Sequence, residues 1–249
     1  MFMLAPSSRK RTQTSAGYVT GAVAFDGAAD YGTRASDLTG NADSKFGIVS
    51  LWFNVQGGAG TTRRIYHANN GFFRILLNTS NIIEIAGVNG ITQLEVTSGS
   101  SFASAGWHHL LAWWDMADTG KRGLYIDGAD DSPTWTNYSN STIDYTRTDH
   151  AVGAAGGADF WNGYLSDMYL NFAEWLDLSV QANREKFILG GKPVNLGTDG
   201  STPTGTAPIV YFHIDSGASA PTFLTDNKGT GGDFTDVAVI TTAPSSPSD

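Results

Sequence analysis

Cysteine is absent from the sequence, and basic residues are few. Without cysteine the fold has no disulfide bonds and no thiolate ligands for a structural metal. The 15 Lys and Arg residues are outnumbered by 24 Asp and Glu residues, which gives a formal net charge of −9. This balance argues against nucleic acid as a partner, because phosphate binding depends on clustered positive charge. The single basic cluster, at residues 9–11, is too small to change that conclusion.

Long apolar runs are absent as well. No stretch approaches the roughly 18 uninterrupted apolar residues that a membrane-spanning helix needs, so we expect no membrane insertion. Near the N-terminus the basic cluster follows a very short apolar run, which is the reverse of a secretory signal. We therefore expect no signal peptide. Residues 1–17 are rich in Ser, Thr and basic residues, and this composition predicts an extended arm.

Glutamate is scarce among the acidic residues, with 4 Glu against 20 Asp. Aspartate favours turns and loops over helix interiors. Thirty glycines and only 16% charged residues point the same way, towards many turns and short strands. A chain of 249 residues with 41% hydrophobic residues is long enough to bury one large core. We expect one principal all-β domain.

Short apolar or alternating runs follow one another along the chain, separated by Gly, Asn and Asp. They occupy residues 46–55, 63–68, 72–78, 82–88, 92–96, 107–115, 122–127 and 163–172. Such spacing is typical of a two-sheet antiparallel sandwich or jelly roll. The run at 107–115, WHHLLAWWD, is apolar on both of its alternating faces, which predicts a central strand covered on both sides.

Two neighbouring histidines in this run, His108 and His109, raise the question of a metal site. Successive side chains of a strand point to opposite faces, so the two rings cannot bind one ion, and a zinc-binding pair on a strand needs the spacing i, i+2. We therefore expect no zinc site. Calcium fits the Asp-rich loops better, because it prefers carboxylate and carbonyl oxygens, but the pattern identifies no ligands for it. Calcium is the one cofactor that we retain, and no other is indicated.

The C-terminal part of the chain, residues 177–249, has a different pattern from the predicted sandwich at 18–176. Its start, DLSVQANREKFILGG, predicts one short helix of about three turns. We expect Asp177 or Ser179 to cap it, and Gly190 and Gly191 to end it.

Three apolar residues of the predicted helix, Val180, Phe187 and Ile188, would line one side. Two later apolar runs, at 209–215 and 237–240, predict strands. About 70 residues of this composition are too few to bury a core alone, so we expect them to pack on or complete the sandwich.

Five stretches, in this order, resemble the laminin G-like branch of the concanavalin A-like lectin and glucanase superfamily. They are AFDGAADY (24–31), SLWFNV (50–55), WHHLLAWWD (107–115), GLYIDG (123–128) and VGAAGGADFWNGYLSDMYLNF (152–172). The resemblance covers about residues 20–175. It implies two curved antiparallel sheets, a carbohydrate- or protein-binding role and, in some members, a calcium ion. The catalytic Glu-x-Asp-x-Glu strand of the glucanase branch has no match here. We therefore expect no enzymatic activity and no catalytic residues, with a glycoside hydrolase or lyase as the alternative.

A second resemblance concerns the C-terminal stretches GKPVNLGTDGSTPTGTAPIVYFHID (191–215) and NKGTGGDFT (227–235). They resemble segments of tailed-bacteriophage structural proteins that carry this fold. The implied function is that of a virion structural protein, a capsid or tail decoration or fibre, made in the cytoplasm of the host bacterium. Its expected partners are other virion subunits, bound through residues 1–17, a host surface glycan, and further copies of itself in a homo-oligomer on the particle. A purely structural decoration protein without glycan binding is a further alternative.

The candidate ligand-binding residues are aromatic side chains that the core does not obviously need, because aromatic rings stack on the faces of sugars. Trp135 and Tyr138 lie in a polar, loop-like run, SPTWTNYSNST (132–142). Trp161 follows a glycine-rich turn and can also serve only to cap a hairpin. Trp113 lies on the second face of the 107–115 run, where either the C-terminal segment or a ligand can cover it.

Overall fold

The fold is a β-sandwich, seen in a computed structural model that describes residues 18–218, 220 and 222–249. The predicted arm, residues 1–17, lies outside the described residues. The strands, in chain order, are β1 (Val23–Asp26), β2 (Tyr31–Arg34), β3 (Phe46–Val55), β4 (Arg63–Ala68), β5 (Phe73–Leu77), β6 (Ile82–Asn89), β7 (Ile91–Ser101), β8 (Trp107–Asp115), β9 (Arg122–Ile126), β10 (Ala129–Asp130), β11 (Thr134–Tyr138), β12 (His150–Val152), β13 (Asn162–Asn171), β14 (Ile188–Leu189), β15 (Lys192–Pro193), β16 (Val210–Phe212), β17 (Thr235–Val237) and β18 (Thr241–Thr242). The helices are α1 (Gln181–Arg184) and α2 (Thr222–Thr225), and Asn69–Gly71 form a 3-10 turn.

Two antiparallel sheets face each other. The first has the order β10-β9-β8-β3-β13-β1-β18. The strand β16 lies on the same side of β13 as β1, and it pairs with residues 168–170 of β13, beyond the residues that pair with β1. The second has the order β11-β7-β6-β5-β4-β12-β2-β17. The strands β14 and β15 form a separate hairpin. The predicted all-β, two-sheet antiparallel sandwich is confirmed.

The centre of the first sheet is formed by long strands that are buried on both faces. The strand β8 has the predicted bounds, and it pairs with β3 from Trp107–Asn54 to Asp115–Phe46. Its alternation sorts the side chains as expected. Leu110, Ala112 and Trp114 join the core between the sheets, whereas Leu111 and Trp113 lie on the outer face.

The outer face of the first sheet is covered by the chain's own C-terminal part. Its residues Ile48, Leu111, Trp113, Tyr169 and Tyr211 form a second apolar cluster together with Leu178, Phe187 and Leu196. Each fully buried Leu or Phe side chain contributes about 1.5–3 kcal/mol, so the cover adds substantially to stability. Residues 177–249 also add β16 and β18 to the first sheet and β17 to the second.

The prediction of one three-turn helix after residue 176 is wrong. The helix α1 has four residues, and its N-cap residue is Val180, which makes no side-chain capping bond and is 47% exposed. Asp177 instead accepts hydrogen bonds from the backbone and hydroxyl of Ser179. Gly190 and Gly191, with φ of 61° and 76°, form the two-residue turn between β14 and β15. Such a turn needs positive φ at both positions, so the paired glycines specify a hairpin here.

Neither described helix is long and apolar enough to cross a membrane.

Candidate functional site

The outer face of the second sheet carries charged and polar side chains. In β5, Phe73, Ile75 and Leu77 point into the core, so Arg74 points outward. The same alternation directs Glu84 of β6 and Glu95 of β7 outward. We call this surface the polar face and define it by Arg64, His67, Arg74, Glu84, Glu95 and Asn137.

A β-bulge in β4 places two of these side chains on the polar face. The β4–β5 register shifts between Arg64 and Tyr66, and both Ile65 and Tyr66 are buried in the core. Because the extra residue breaks the period of two, Arg64 and His67 share the outer face although they are three residues apart. Without the bulge, their side chains would point in opposite directions.

Hydrogen bonds between neighbouring strands hold the polar face in place. Arg74 Nε lies 2.9 Å from Glu84 Oε1, and Asn137 Nδ2 donates to Glu95 Oε2 at 2.8 Å. Arg64 Nε lies 3.2 Å from Asp159 Oδ2, in the loop before β13. The side chains of Arg74 and Glu84 are 22% and 17% exposed, so they are fixed but still reach solvent. Planar groups held in this way are well oriented to bind a polar ligand.

His67 is the imidazole of the polar face, and its surroundings keep it neutral. Burial and, to a smaller extent, the positive charge of Arg64 lower its pKa to about 4. The ring is therefore uncharged near neutral pH, where each nitrogen can only donate or only accept a hydrogen bond.

The polar face offers donors and acceptors side by side on a rigid sheet. Two guanidinium groups donate, two carboxylates accept, and an amide does both. The described residues form no apolar cluster on this face, in contrast to the outer face of the first sheet. Such a surface suits a ligand with many hydroxyl groups, which both donate and accept hydrogen bonds.

Two predicted ligand-binding residues, Trp135 and Tyr138, lie at the edge of the sandwich on β11. Both are half-buried and pack against the core, and their rings meet at 5.4 Å in a T-shaped contact. The guanidinium of Arg122 lies over both rings, 4.8 Å and 4.5 Å from their centres. The Tyr138 hydroxyl donates to the Asp115 carbonyl at 2.8 Å. A part of each ring already has a packing partner, and sugar contact there stays a prediction.

The other two predicted residues are buried. Trp161 has no exposed surface and packs edge-on against Phe53 in the core. Trp113 is 2% exposed and lies against Trp175, 5.7 Å between ring centres. The expectation that the core does not need these rings is therefore wrong, because large aromatic side chains fill the interior on both sides of the first sheet.

The sequence suggests calcium without identifying its ligands, and three of the aspartates use their carboxylates as hydrogen-bond acceptors for the protein's own backbone. Asp26 Oδ1 accepts hydrogen bonds from the backbone of residues 28–30, and Asp131 Oδ2 accepts from Gly99 and Ser100. Asp43 Oδ1 likewise accepts from the backbone of residues 145 and 146. Their oxygens shape turns, as aspartates in loops commonly do. In the part of the chain that the structure describes, no three His, Asp or Glu side chains are grouped as metal ligands.

Comparison with known proteins identifies the family. Residues 26–171 match the sequence profile of the concanavalin A-like lectin/glucanases superfamily. The chain belongs to this superfamily. A search among curated proteins found no match.

Solved structures of this superfamily fold are similar over most of the chain. One is a candidate carbohydrate-binding protein from Bacteroides ovatus, with 15% identity and a TM-score of 0.62. The match covers 91% of this chain and 60% of that one, so the chain spans less than two thirds of that protein's length. Another is a heptameric SAP-like pentraxin from Limulus polyphemus, with 13% identity, a TM-score of 0.51, and coverage of 71% and 86%. At such low sequence identities, the similarity to these structures shows a shared fold only.

Proposed function

We propose that the protein is a non-enzymatic glycan-binding module and that the polar face is its binding surface. One observation carries this proposal: the two sheets differ in what lies on their outer faces. The first sheet is covered by the apolar side chains of residues 175–196, whereas the second presents Arg74, Glu84 and Asn137 to solvent. The similar Bacteroides ovatus protein, a candidate carbohydrate-binding protein, supports the same class of ligand.

A glycoside hydrolase is the second candidate, because the fold brings two glutamates together. In the β6–β7 register Glu84 pairs with Thr97 and Glu95 pairs with Ala86, so the two glutamates are diagonal neighbours. The Cα atoms of diagonal neighbours lie about 7–8 Å apart, close enough for long side chains to bring two carboxyl groups to the separation of about 6.5–9.5 Å found in inverting glycosidases. Both carboxylates, however, are engaged by Arg74 and Asn137. A general acid needs a proton on its carboxyl group, so the arrangement favours binding.

A glycan array on the purified protein tests the proposal. The double variant Arg74→Gln/Glu84→Gln replaces the ion pair by two uncharged amides. We expect it to weaken binding by about 10- to 100-fold, since hydrogen bonds to charged groups contribute about 1.5–3 kcal/mol. The matched control is Lys121→Gln/Asp118→Asn, which removes the exposed Lys121–Asp118 ion pair, together with the contact of Lys121 with Asp115, and should bind like wild type.

Three outcomes decide between the candidates. Absence of binding at high avidity contradicts the lectin proposal and leaves the structural decoration protein. Shortening of a bound oligosaccharide by the wild type supports the hydrolase. Loss of binding in Trp135→Leu, with unchanged binding in the Arg74/Glu84 variant, moves the site to the edge of the sandwich.

We further propose that the module is displayed on a tailed-phage particle, in many copies, where multivalency raises a weak single-site affinity. The resemblance of residues 191–215 and 227–235 to phage structural proteins supports this proposal. Mass spectrometry of purified virions should detect the protein. Full-length protein should also bind particles that lack it, and protein without residues 1–17 should not. Equal binding of the full-length and the shortened protein to these particles would contradict the proposed role of residues 1–17 in docking.

A further inference from the structure

A β-bulge interrupts β13 at a buried aspartate. The β3–β13 register shifts between Ser166 and Tyr169, and Asp167 has a φ of 44°, a left-handed conformation that a residue with a side chain rarely adopts. Asp167 is only 4% exposed, and its Oδ2 atom has no hydrogen-bond partner among the described residues. Bulges and strained residues often mark positions with a role beyond packing.

Two chain segments meet beside this bulge. We call residues 18–21 the leading segment and residues 213–216 the trailing segment. They form a short antiparallel pairing, in which the Gly21 amide donates to the Ile214 carbonyl at 2.8 Å and the Ser216 amide to the Val19 carbonyl at 3.3 Å. The leading segment connects residues 1–17 to β1, so this junction holds the chain where it enters the sandwich.

His213 links both segments to the bulge. Its Nδ1 lies 2.6 Å from Asp167 Oδ1, and its Nε2 lies 3.2 Å from Asp215 Oδ1. The Tyr18 hydroxyl donates to Asp167 Oδ1 at 3.1 Å. The His213 ring makes stacked contacts with both Tyr18 and Tyr211, with ring centres 5.6 Å and 5.7 Å away. Because both ring nitrogens face a carboxylate, the doubly protonated ring satisfies both contacts and the neutral ring only one.

The other ionisable groups around His213 are Tyr18, Tyr211, Asp167, Asp215 and Lys228. Burial raises the pKa of both tyrosines far above the usual range, so their hydroxyl groups stay protonated. Lys228 lines the same shallow cavity as His213 and Asp215, and its ammonium group lies 2.5 Å from Asp226. Burial lowers the pKa of His213, but hydrogen bonds and charges from Asp167 and Asp215 outweigh it, and the net shift is upward from 6.5.

We propose that protonated His213 is a pH-dependent clasp that closes the junction between the leading and trailing segments. In its charged form it joins the Asp167 carboxylate of the bulge to the Asp215 carboxylate of the trailing segment, and with Tyr18 it holds the leading segment. When it loses its proton, two carboxylates lose the positive charge between them, and the junction opens more often. The clasp closes as pH falls and loosens as pH rises through the pKa of His213. It is independent of the glycan site.

Amide hydrogen exchange of the full-length protein tests the clasp. The protection factors of Gly21 and Ser216 should fall by about tenfold for each unit by which the pKa of His213 exceeds its unfolded value, between pH 6 and 8.5. The amide of Leu111 in β8 is the internal control and should not change. In His213→Gln the Gly21 and Ser216 amides should show low protection at every pH. Protection in the wild type that is independent of pH, or a pH dependence that persists in His213→Gln, would overturn the proposal.

An NMR titration of the His213 ring in the wild type gives a second test that does not depend on a variant folding. We expect the pKa of His213 to be above 6.5 in the wild type and to be lower in Asp215→Asn than in the wild type. A pKa at or below 6.5 would contradict the clasp, because the carboxylates would then not favour the charged ring.

Discussion

At the scale of single residues, identical side chains take different roles because their surroundings differ. His109 is fully buried, its Nε2 lies 2.9 Å from Ser50 Oγ, and burial lowers its pKa to about 3. The fold also keeps His67 neutral, whereas carboxylates favour a proton on His213. The alternation in the sequence correctly places the side chains of His108 and His109 on opposite faces of β8, but it does not indicate whether a histidine is charged. The charge depends on burial and on partners that come from distant strands.

The neutral histidines predict acid sensitivity. The pKa of His109 is lower in the folded than in the unfolded chain, so the unfolded chain binds more protons as pH falls from about 6.5. The free energy of unfolding should therefore fall on acidification, and each such histidine adds up to about 1.4 kcal/mol per pH unit to the slope. Urea denaturation between pH 4 and 7 checks this. For His109→Asn we expect the free energy of unfolding to depend less steeply on pH than for the wild type. The control is His108→Asn, whose ring is partly exposed. Equal slopes for wild type and His109→Asn would contradict this account.

At the scale of elements, the alternation and length of apolar runs predict strands well. They do not predict where the chain forms a turn instead of a helix. The bounds of β3, β4 and β8 agree with the apolar runs in the sequence. The segment after residue 176 is different, because a glycine pair can end a helix or form a hairpin turn. The bulges at Ile65 and Asp167 have no sequence signature of their own. The bulge at Asp167 arises in the pairing of β13 with β3, which is far away in the chain, whereas the bulge at Ile65 arises in the pairing of the consecutive strands β4 and β5.

The hairpin turn between β14 and β15 predicts how substitutions of Gly190 change the stability of the protein. Its φ is 61°, and a Cβ atom there would meet no other atom within 4 Å, so the cost of a substitution is a backbone cost. Gly190→Ala should destabilise the protein by about 1 kcal/mol. Gly190→Asn should be nearly neutral, because asparagine tolerates this conformation in a two-residue hairpin turn. Thermal unfolding of both variants is the measurement, and equal effects of Ala and Asn would argue against the turn.

At the scale of the whole molecule, the two outer faces of the sandwich differ in what lies on them. One is covered by the C-terminal part of the chain, and the other carries the polar face. The fold and the superfamily could be predicted from five ordered motifs. The polar face could be predicted only in part. The alternation in FFRILLN and IIEIAGV indicates outward Arg74 and Glu84, whereas Arg64 and His67 share a face only because of the bulge.

The four aromatic residues that the sequence suggests as ligand-binding residues are not part of the polar face. Trp113 and Trp161 are large apolar side chains with no local sign of what will cover them, and the covering residues come from distant segments. Trp135 and Tyr138 lie in a polar run, yet they point into the sandwich from its edge strand. Burial of this kind depends on tertiary contacts, so a single sequence does not reveal it.

The most direct test of the polar face as a glycan site is an NMR titration of the isotopically labelled protein. The titrant is an oligosaccharide that the array identifies as a ligand. The account predicts that the largest shift changes fall on the amides around Arg64, Arg74, Glu84 and Glu95. Shift changes centred on Arg122, Trp135 and Tyr138, or on the covered face around Trp113, would contradict it.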